Sequence, residues 1–385
     1  MGHRHRRKPE ESQDPRRHGS AWARMVTASF AASALVLSLA PGASASSSFL
    51  GGLGTISEVA STIPANGDLN PYGVAVVPAT VGRLTRGDVL VSNFNNGPAN
   101  LQGLGTTIVE VSPGGTQQLF AHIDPSSAAG KACGGVGLTT ALAVLREGWV
   151  VVGSLPTTNG MASTASAGCL FVLNAQGNVV RVIAGGPING PWDLAAADFG
   201  DVASLFVTNV LNGTVAAAGG VVNRGTVVRV DLGFFGSQPL VLDETVVGSG
   251  FPERTDPSAL VIGPTGVGIG SSGKLYVADT LSNRIAAIDN PFFRFSSAGT
   301  GKTVSTGGAL NGPLGLAIAP GGDIVTTNSG DGNAVETTPS GTQVAVVNAD
   351  DTGAGAGTLF GLAIAPGGKG LYLVNDGNNM LDLLH

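Results

Sequence analysis

The sequence predicts an all-β fold, a six-bladed β-propeller closed by an N-terminal strand, and three observations lead to it. A short apolar phrase recurs in units of about 50 residues, and each copy is followed by a turn and a second apolar run. The 385 residues include 60 Gly and 21 Pro, which fits many tight turns between short strands. The third observation is an incomplete unit at the C-terminus, matched by an unassigned strand near the N-terminus. The copies of the phrase are Pro71–Val76, Gly137–Val144, Pro191–Ala196, Pro264–Ile269, Pro313–Ile318 and Leu359–Ile364.

Each unit is predicted to contain four antiparallel strands, A to D from the centre outward. The fifth unit displays the plan most clearly, because turn residues separate all of its apolar runs. Its strands A to D are predicted at Gly315–Ala319, Asp323–Asn328, Asn333–Thr337 and Gln343–Asn348.

Six units are counted from their strands A, and the sixth is incomplete. It has only three strand patterns before the chain ends, whereas Gly54–Ile63 has a strand D pattern and no unit of its own. Joining the two completes the sixth blade and leaves no open sheet edge. The units begin near Tyr72, Leu138, Trp192, Thr265, Leu314 and Phe360.

Residues 1–45 are predicted to be a signal peptide, and residues 46–385 a single propeller domain. A basic segment precedes the apolar run Met25–Ala40, and Ala43–Ala45 offers a small-residue cleavage site. We expect a secreted protein with no membrane anchor, because no Cys marks the cleavage site and no second apolar segment follows. The general secretory and twin-arginine routes both stay open, as do Met1 and Met25 as starts.

The charge of the exported chain argues against nucleic acid as a partner. Seven of the 20 basic residues and three of the 26 acidic residues precede position 46, which leaves 13 against 23 and a net charge of −10. An acidic protein repels nucleic acid and anionic lipid. The expected partner is an unknown extracellular ligand or protein, bound by a monomer.

Cys133 and Cys169 are the only cysteines of the chain. In an oxidising compartment an even pair predicts a disulfide, here tying the segment that enters the second unit to its third strand. Two buried thiols are the alternative.

A small polar residue ends strand B of every unit, at the rim where strand A begins. These residues are predicted to surround one mouth of the central channel and are the candidate binding residues, together with Asp193. Asn and Asp also bond to nearby backbone amides in turns, so a purely structural role is the alternative. The residues are Asn93, Ser154, Asn209, Asp279, Asn328 and Asn375.

The run Leu275–Ile288 after Pro264–Ile269, and the passage Ala60–Val76, resemble the NHL-repeat propellers. The resemblance covers nearly all of residues 54–385 and is clearest in the last three units. It implies the propeller fold, and it leaves the activity open because such propellers include enzymes, sensors and binding scaffolds.

Asp193 stands where four of the five other copies of the phrase carry Gly, so it is expected near the channel axis. Six-bladed lactonases hold calcium at this place, and the resemblance to them implies a calcium site of Asp193, Asn209 and Asp279. Their Glu at the start of the first inner strand is missing, since this chain reads Asn70-Pro71-Tyr72 there. A backbone-capping role for Asp193 is the alternative. No other cofactor is expected.

The connections from strand B to strand C are predicted to be long in units one to three, roughly over residues 93–105, 154–168 and 209–225. These connections would form a wall on one side of the mouth; the alternative is that they are insertions that the fold tolerates.

Only His122 and His385 follow the leader, and neither is expected at the mouth, which argues against chemistry that needs a central His. The leading hypothesis is a non-catalytic binding scaffold. The alternatives are a calcium-dependent lactonase or esterase and a structural protein of the cell envelope.

Overall fold

The computed structural model describes residues 48–236 and 238–385, and the predicted leader lies outside them. The regular secondary structure of the described chain is almost all β-strand, in six antiparallel sheets. The predicted six-bladed propeller is therefore confirmed. One α-helix, α1, spans Ala128–Ala132, and short 3-10 turns cover Leu50–Gly52, Ala162–Thr164, Thr280–Ser282, Pro291–Phe293 and Pro366–Gly368.

The first three blades are formed by consecutive strands after β1 (Ile56–Ser61). Blade one contains β2 (Leu69–Val76), β3 (Val89–Asn96), β4 (Leu101–Gln102), β5 (Thr107–Val111) and β6 (Gln117–His122). Blade two contains β7 (Leu138–Val144), β8 (Val150–Ser154), β9 (Cys169–Leu173) and β10 (Val179–Ala184). Blade three contains β11 (Pro191–Asp198), β12 (Val202–Asn209), β13 (Val222–Gly233), β14 (Leu240–Asp256) and β15 (Leu260–Ile262).

The last three blades are shorter, and the sixth is shared between the two ends of the domain. Blade four contains β16 (Pro264–Ile269), β17 (Leu275–Asp279), β18 (Arg284–Ile288) and β19 (Lys302–Thr306). Blade five contains β20 (Pro313–Ile318), β21 (Ile324–Asn328), β22 (Asn333–Thr337) and β23 (Gln343–Asn348). Blade six contains β24 (Leu359–Ile364), β25 (Leu371–Asn375) and β26 (Met380–Leu384).

The N-terminal strand β1 is the fourth strand of blade six. It pairs antiparallel with β26, in a register that sets Ile56 opposite Leu384 and Ser61 opposite Met380. The innermost strands of neighbouring blades contact one another around the ring, and β24 contacts β2. The predicted closure is thus confirmed, and no blade edge faces a gap in the ring.

The glycine of the recurring phrase has a steric reason. A Cβ at Gly266 would lie 2.5 Å from the carbonyl oxygen of Leu314, and a Cβ at Gly315 or Gly361 would clash with the backbone of the next innermost strand. The innermost strands therefore approach so closely near the axis that only glycine fits without a shift. Blade two also lacks this glycine, and blade three carries the ionisable residue Asp193 in its place.

Hydroxyl side chains near the ends of three strands B bridge neighbouring blades. Thr208 Oγ1 accepts from the Asp193 N–H (3.0 Å) and donates to the Thr265 carbonyl of blade four (2.8 Å). Ser92 and Thr327 occupy the equivalent place in blades one and five, and each accepts from the glycine of its own phrase. These bridges, together with apolar layers between the blades, fix the position of each innermost strand.

The predicted disulfide is present, with the Cα atoms of Cys133 and Cys169 5.2 Å apart. Cys133 caps α1, just before blade two, and Cys169 begins the third strand of that blade. Such crosslinks persist in oxidising compartments. Among the described residues no helix is long and apolar enough to cross a membrane.

Candidate functional site

A hydrophobic cluster fills the rim of the channel where the innermost strands begin. The ring of Tyr72 stacks between Phe94 and Phe360, with centroid distances of 4.4 and 4.0 Å. We call this cluster the central plug, and all its members are at most 4% exposed. Its members are Tyr72, Phe94, Trp192, Leu260, Leu314 and Phe360.

One member of the central plug, Leu260, comes from a segment that the repeat pattern does not predict. The outer strand β14 is 17 residues long and turns back into β15, which places residues 259–261 against the plug. The Gln102 side chain of blade one donates to the Pro257 carbonyl (3.0 Å), which ties this hairpin across the face. The space left within the plug is about 10 Å³. It is at the lower limit for a single water molecule, so this mouth admits no substrate-sized molecule.

Beneath the plug, the channel encloses about 60 Å³. All six innermost strands contribute to its wall, and Asp193 is the only ionisable residue that lines it. The prediction that Asp193 lies near the axis therefore agrees with the geometry. The remaining lining residues are Val74, Thr140, Leu142, Leu194, Val267, Gly315, Leu316, Gly361 and Leu362.

The carboxyl group of Asp193 bonds to backbone on both sides. Oδ1 accepts from the N–H of Leu194 (2.8 Å) and Oδ2 accepts from the N–H of Val267 in the next blade (3.1 Å). Burial raises the pKa of Asp193 to about 8, against the smaller opposing effect of these two bonds. The geometry favours the backbone-capping alternative, in which the carboxyl links the innermost strands of blades three and four.

The six strand-B residues predicted around the mouth are all fully buried. Five of them bond to the connection that leads into strand A of their own blade, which is the structural alternative for these residues. Ligand binding by them stays a prediction. The bonds join Asn93 Nδ2 to Thr62 O (3.0 Å), Gly137 N to Ser154 Oγ (3.0 Å), Asn189 N to Asn209 Oδ1 (3.2 Å), Asn311 N to Asn328 Oδ1 (3.1 Å) and Asn375 Nδ2 to Asp350 Oδ1 (2.9 Å).

The sixth residue, Asp279, is held by an ion pair. Its Oδ2 accepts from Arg284 Nε at 2.8 Å, and the Asp279 side chain is fully buried. The side chains predicted to hold calcium, those of Asp193, Asn209 and Asp279, each bond to the protein through at least one oxygen, and Oδ1 of Asp279 is buried without a partner among the described residues. Within residues 48–236 and 238–385, no group of three or more His, Cys, Asp or Glu side chains is arranged to hold a metal ion. Calcium binding by Asp193, Asn209 and Asp279 stays a prediction.

The three long B-to-C connections lie where they were predicted, and they contact one another. Thr157 of the second connection donates from its N–H to the Gly103 carbonyl of the first (3.0 Å) and from its hydroxyl to the Gln102 carbonyl (2.6 Å). In the third connection, the Asn212 N–H donates to Glu253 Oε1 of β14 (2.9 Å). Burial raises the pKa of Glu253 to about 7. Hydrogen bonds therefore join the connections and β14 into one surface.

This surface contains a pocket of about 490 Å³, which we call the loop pocket. Its walls come from the second connection, the third connection and the end of β14. One ion pair, between Arg254 and Asp256 (2.8 Å), lies among small and apolar residues. The sequence predicted the two connections but not the contribution of β14. The lining residues are Ala162, Ser163, Val215, Ala218, Gly219, Arg254, Thr255, Asp256 and Pro257.

The two histidines among the described residues lie away from both the channel and the loop pocket. His122 ends the outer strand β6, and the ring of His385 contacts Ser57 Oγ (2.9 Å) at the outer edge of blade six. The prediction that neither reaches the mouth agrees with these positions.

Comparison with solved structures shows the fold. The chain is similar to a gluconolactonase from Xanthomonas campestris, with 14% identity over 84% of this chain and 88% of that one and a TM-score of 0.52. It is similar to a calcium-binding protein, regucalcin, from Agrobacterium tumefaciens, with 13% identity over 85% and 93% and a TM-score of 0.52. It is also similar to a luciferin-regenerating enzyme, with 10% identity over 86% and 94% and a TM-score of 0.53.

No family model matches the chain, and no curated protein matches it in sequence. The resemblance to NHL-repeat propellers therefore stays a prediction. The identities to the solved structures are low, so these similarities establish the six-bladed propeller architecture alone.

Proposed function

We propose that this protein is an exported, monomeric binding scaffold without catalytic activity, and that the loop pocket is its ligand site. The observation that carries the proposal is the contrast between two places on one face. The central mouth, where a hydrolase of this architecture would need its site, is filled by the central plug. Beside it, the loop pocket has about 490 Å³ of open space.

The construction of the loop pocket supports a role in binding. Its volume falls within the range of about 300–1,000 Å³ that is typical of small-molecule sites. The walls are tied by hydrogen bonds to blade one and to β14, so the pocket is formed before a ligand arrives. The mostly small and apolar lining, with a single ion pair, fits a compact and largely uncharged ligand.

The alternative is a calcium-dependent lactonase or esterase, and three solved structures of this fold include a gluconolactonase and a calcium-binding protein. Against it stands the chemistry of the channel. A hydrolase needs a carboxylate that activates water within reach of a substrate, whereas Asp193 bonds to two backbone amides inside about 60 Å³. We therefore expect no hydrolysis of a panel of lactones, with or without calcium.

A substitution at the wall of the loop pocket can test the proposal, because it fills the pocket without disturbing the core. Ser163 lines the loop pocket and is exposed, so Ser163→Arg places a long side chain in the pocket. Ser166 belongs to the same connection, is also exposed and does not line the pocket, so Ser166→Arg is the matched control. Ligand-observed NMR on sugars, lactones and cyclic dipeptides measures binding to all three proteins.

We expect at least one of these compounds to bind the native protein and Ser166→Arg, and to lose binding in Ser163→Arg. Binding that Ser163→Arg leaves intact would place the ligand elsewhere and contradict the proposal. Lactone hydrolysis that disappears on chelation and in Asp193→Asn would instead support the hydrolase.

A further inference from the structure

An open apolar groove lies on the rim opposite the loop pocket, between blades three and four. Its volume is about 660 Å³. The turn between β11 and β12 forms one end, the outer strands of blade three form a wall, and the 3-10 turn at Pro291–Phe293 forms the other side. The lining residues are Ala197, Phe199, Val202, Ser204, Asp231, Leu242, Asp243, Phe292 and Phe293.

The groove exposes several large apolar side chains to solvent. Phe293 is 81% exposed, Phe199 is 65% exposed and Leu242 is 50% exposed. Such residues on one contiguous surface mark interaction sites in soluble proteins. Phenylalanine side chains are enriched in protein interfaces relative to the rest of the surface.

A buried arginine holds the groove in shape. The Arg229 side chain is only 5% exposed, and it donates to the carbonyls of Pro291 (3.1 Å), Phe292 (2.8 Å) and Arg294 (3.0 Å). The ring of Phe292 packs edge-on against Phe206 of blade three at 5.0 Å. The exposed Phe293 is therefore presented by a segment that is already fixed, which lowers the entropic cost of binding.

The charge of the groove wall selects the kind of partner. Among the lining residues, Asp231 and Asp243 carry carboxylates and none carries a cation. Both carboxylates bond to Arg229 behind the wall, at 2.9 Å each, so they share one positive charge and leave an excess of negative charge. The side chain of Arg294 points to the carbonyls of Asp289 and Ser296 and does not line the groove.

The same charge argues against a second copy of the chain as the occupant. A two-fold contact would set this wall against itself, and it would bring the Asp231 and Asp243 carboxylates of both copies together. Like charges that face each other across an interface disfavour the complex. An occupant with apolar side chains and positive charge meets both features of the groove.

We propose that this groove docks a basic, apolar peptide segment of a partner protein, with leucine-like side chains between Phe199, Leu242 and Phe293 and lysine or arginine beside Asp243. The docking site is separate from the loop pocket and does not depend on the function proposed for it.

The test uses three short fluorescein-labelled peptides and fluorescence anisotropy. One peptide alternates leucine with lysine, the second alternates leucine with glutamate, and the third alternates serine with lysine. We expect the leucine–lysine peptide to bind, with affinity that falls as salt rises, and each of the other two to bind at least about tenfold more weakly.

Phe293→Ser tests the location, and Phe295→Ser is its matched control. Phe295 is 91% exposed and does not line the groove, and neither change removes a buried side chain. We expect Phe293→Ser to weaken the leucine–lysine peptide about tenfold, as loss of an aromatic contact does, and Phe295→Ser to leave it unchanged.

Three outcomes would overturn the proposal. The first is equal binding of the leucine–lysine and leucine–glutamate peptides, and the second is equal loss in the two serine variants. The third is the absence of peptide binding together with a concentration-dependent dimer, seen by sedimentation, that Phe293→Ser dissociates, because the occupant would then be a second copy.

Discussion

Replacement of Asp193 offers a quantitative test of how the channel is built. Asp193 is 8% exposed as a whole residue, and burial raises the pKa of its carboxyl group from 3.8 to about 8. Between these two values the folded protein holds a proton on Asp193 that the unfolded chain has released. Stability therefore decreases as pH rises through this window, by about 1.4 kcal/mol for each pH unit.

Asp193→Asn removes the titrating group and with it this slope. Between pH 5 and pH 7.5, we expect the free energy of unfolding of the variant to rise relative to that of the native protein by about 3.5 kcal/mol. Any hydrogen bond lost in the variant adds a constant offset, which does not affect the change with pH. Urea unfolding at several pH values measures how the difference in stability between the two proteins changes with pH.

Asp193→Gly is the internal control, since it installs the residue that four other copies of the phrase carry. Its offset should differ from that of Asp193→Asn, but its change with pH should be the same. If the native and variant curves stay parallel across this range, Asp193 has the same charge in the folded and the unfolded protein and is therefore ionised in the folded state. That result would refute the account of a neutral, backbone-bonded carboxyl.

Three further changes test the fold and the plug. Replacing Cys133 and Cys169 by Ala should lower the free energy of unfolding by about 3–4 kcal/mol, because the disulfide closes a loop with a sequence separation of 36. Urea unfolding of the native and variant proteins measures the difference. A decrease below about 1 kcal/mol would contradict this prediction. Gly315→Ala should cost about 2 kcal/mol or more because its Cβ would clash with the Phe360 carbonyl, whereas Gly52→Ala, with nothing within 4 Å, should be near neutral; equal melting temperatures would show that the inner strands have room. Trp192 is 4% exposed, so Trp192→Ala should lower the free energy of unfolding by about 3–5 kcal/mol. A dye that enters the opened mouth should bind this variant and not the native protein. An unchanged stability would mean that the central plug does not close the channel.

The blade plan could be predicted because each blade repeats local chemistry. The Pro-x-Gly phrase marks the start of strand A, since only glycine fits where Gly315 and Gly361 meet the next strand. Closure by β1 followed from counting strands, because a propeller leaves no blade incomplete.

The candidate site was harder to predict, because it depends on which side chains fill the centre. Asn209 and Asn328 are at the predicted ends of their strands, but their side chains turn inward to the preceding connection. The hairpin that places Leu260 in the central plug includes the 17-residue strand β14, and the repeat pattern does not predict a strand of this length. One sequence signal could have predicted the contacts between blades. Ser or Thr directly precedes the last predicted residue of strand B, as at Ser92 and Thr208, and its hydroxyl donates to a carbonyl of the next blade.

A calorimetric titration of calcium into the purified, metal-free protein and into Asp193→Asn determines whether the channel holds a metal ion. Because the central plug fills the mouth and the Asp193 carboxyl bonds to backbone amides, we expect no heat of binding that depends on Asp193. One calcium ion bound tightly by the native protein, and lost in Asp193→Asn, would contradict the account and place a metal site in the channel.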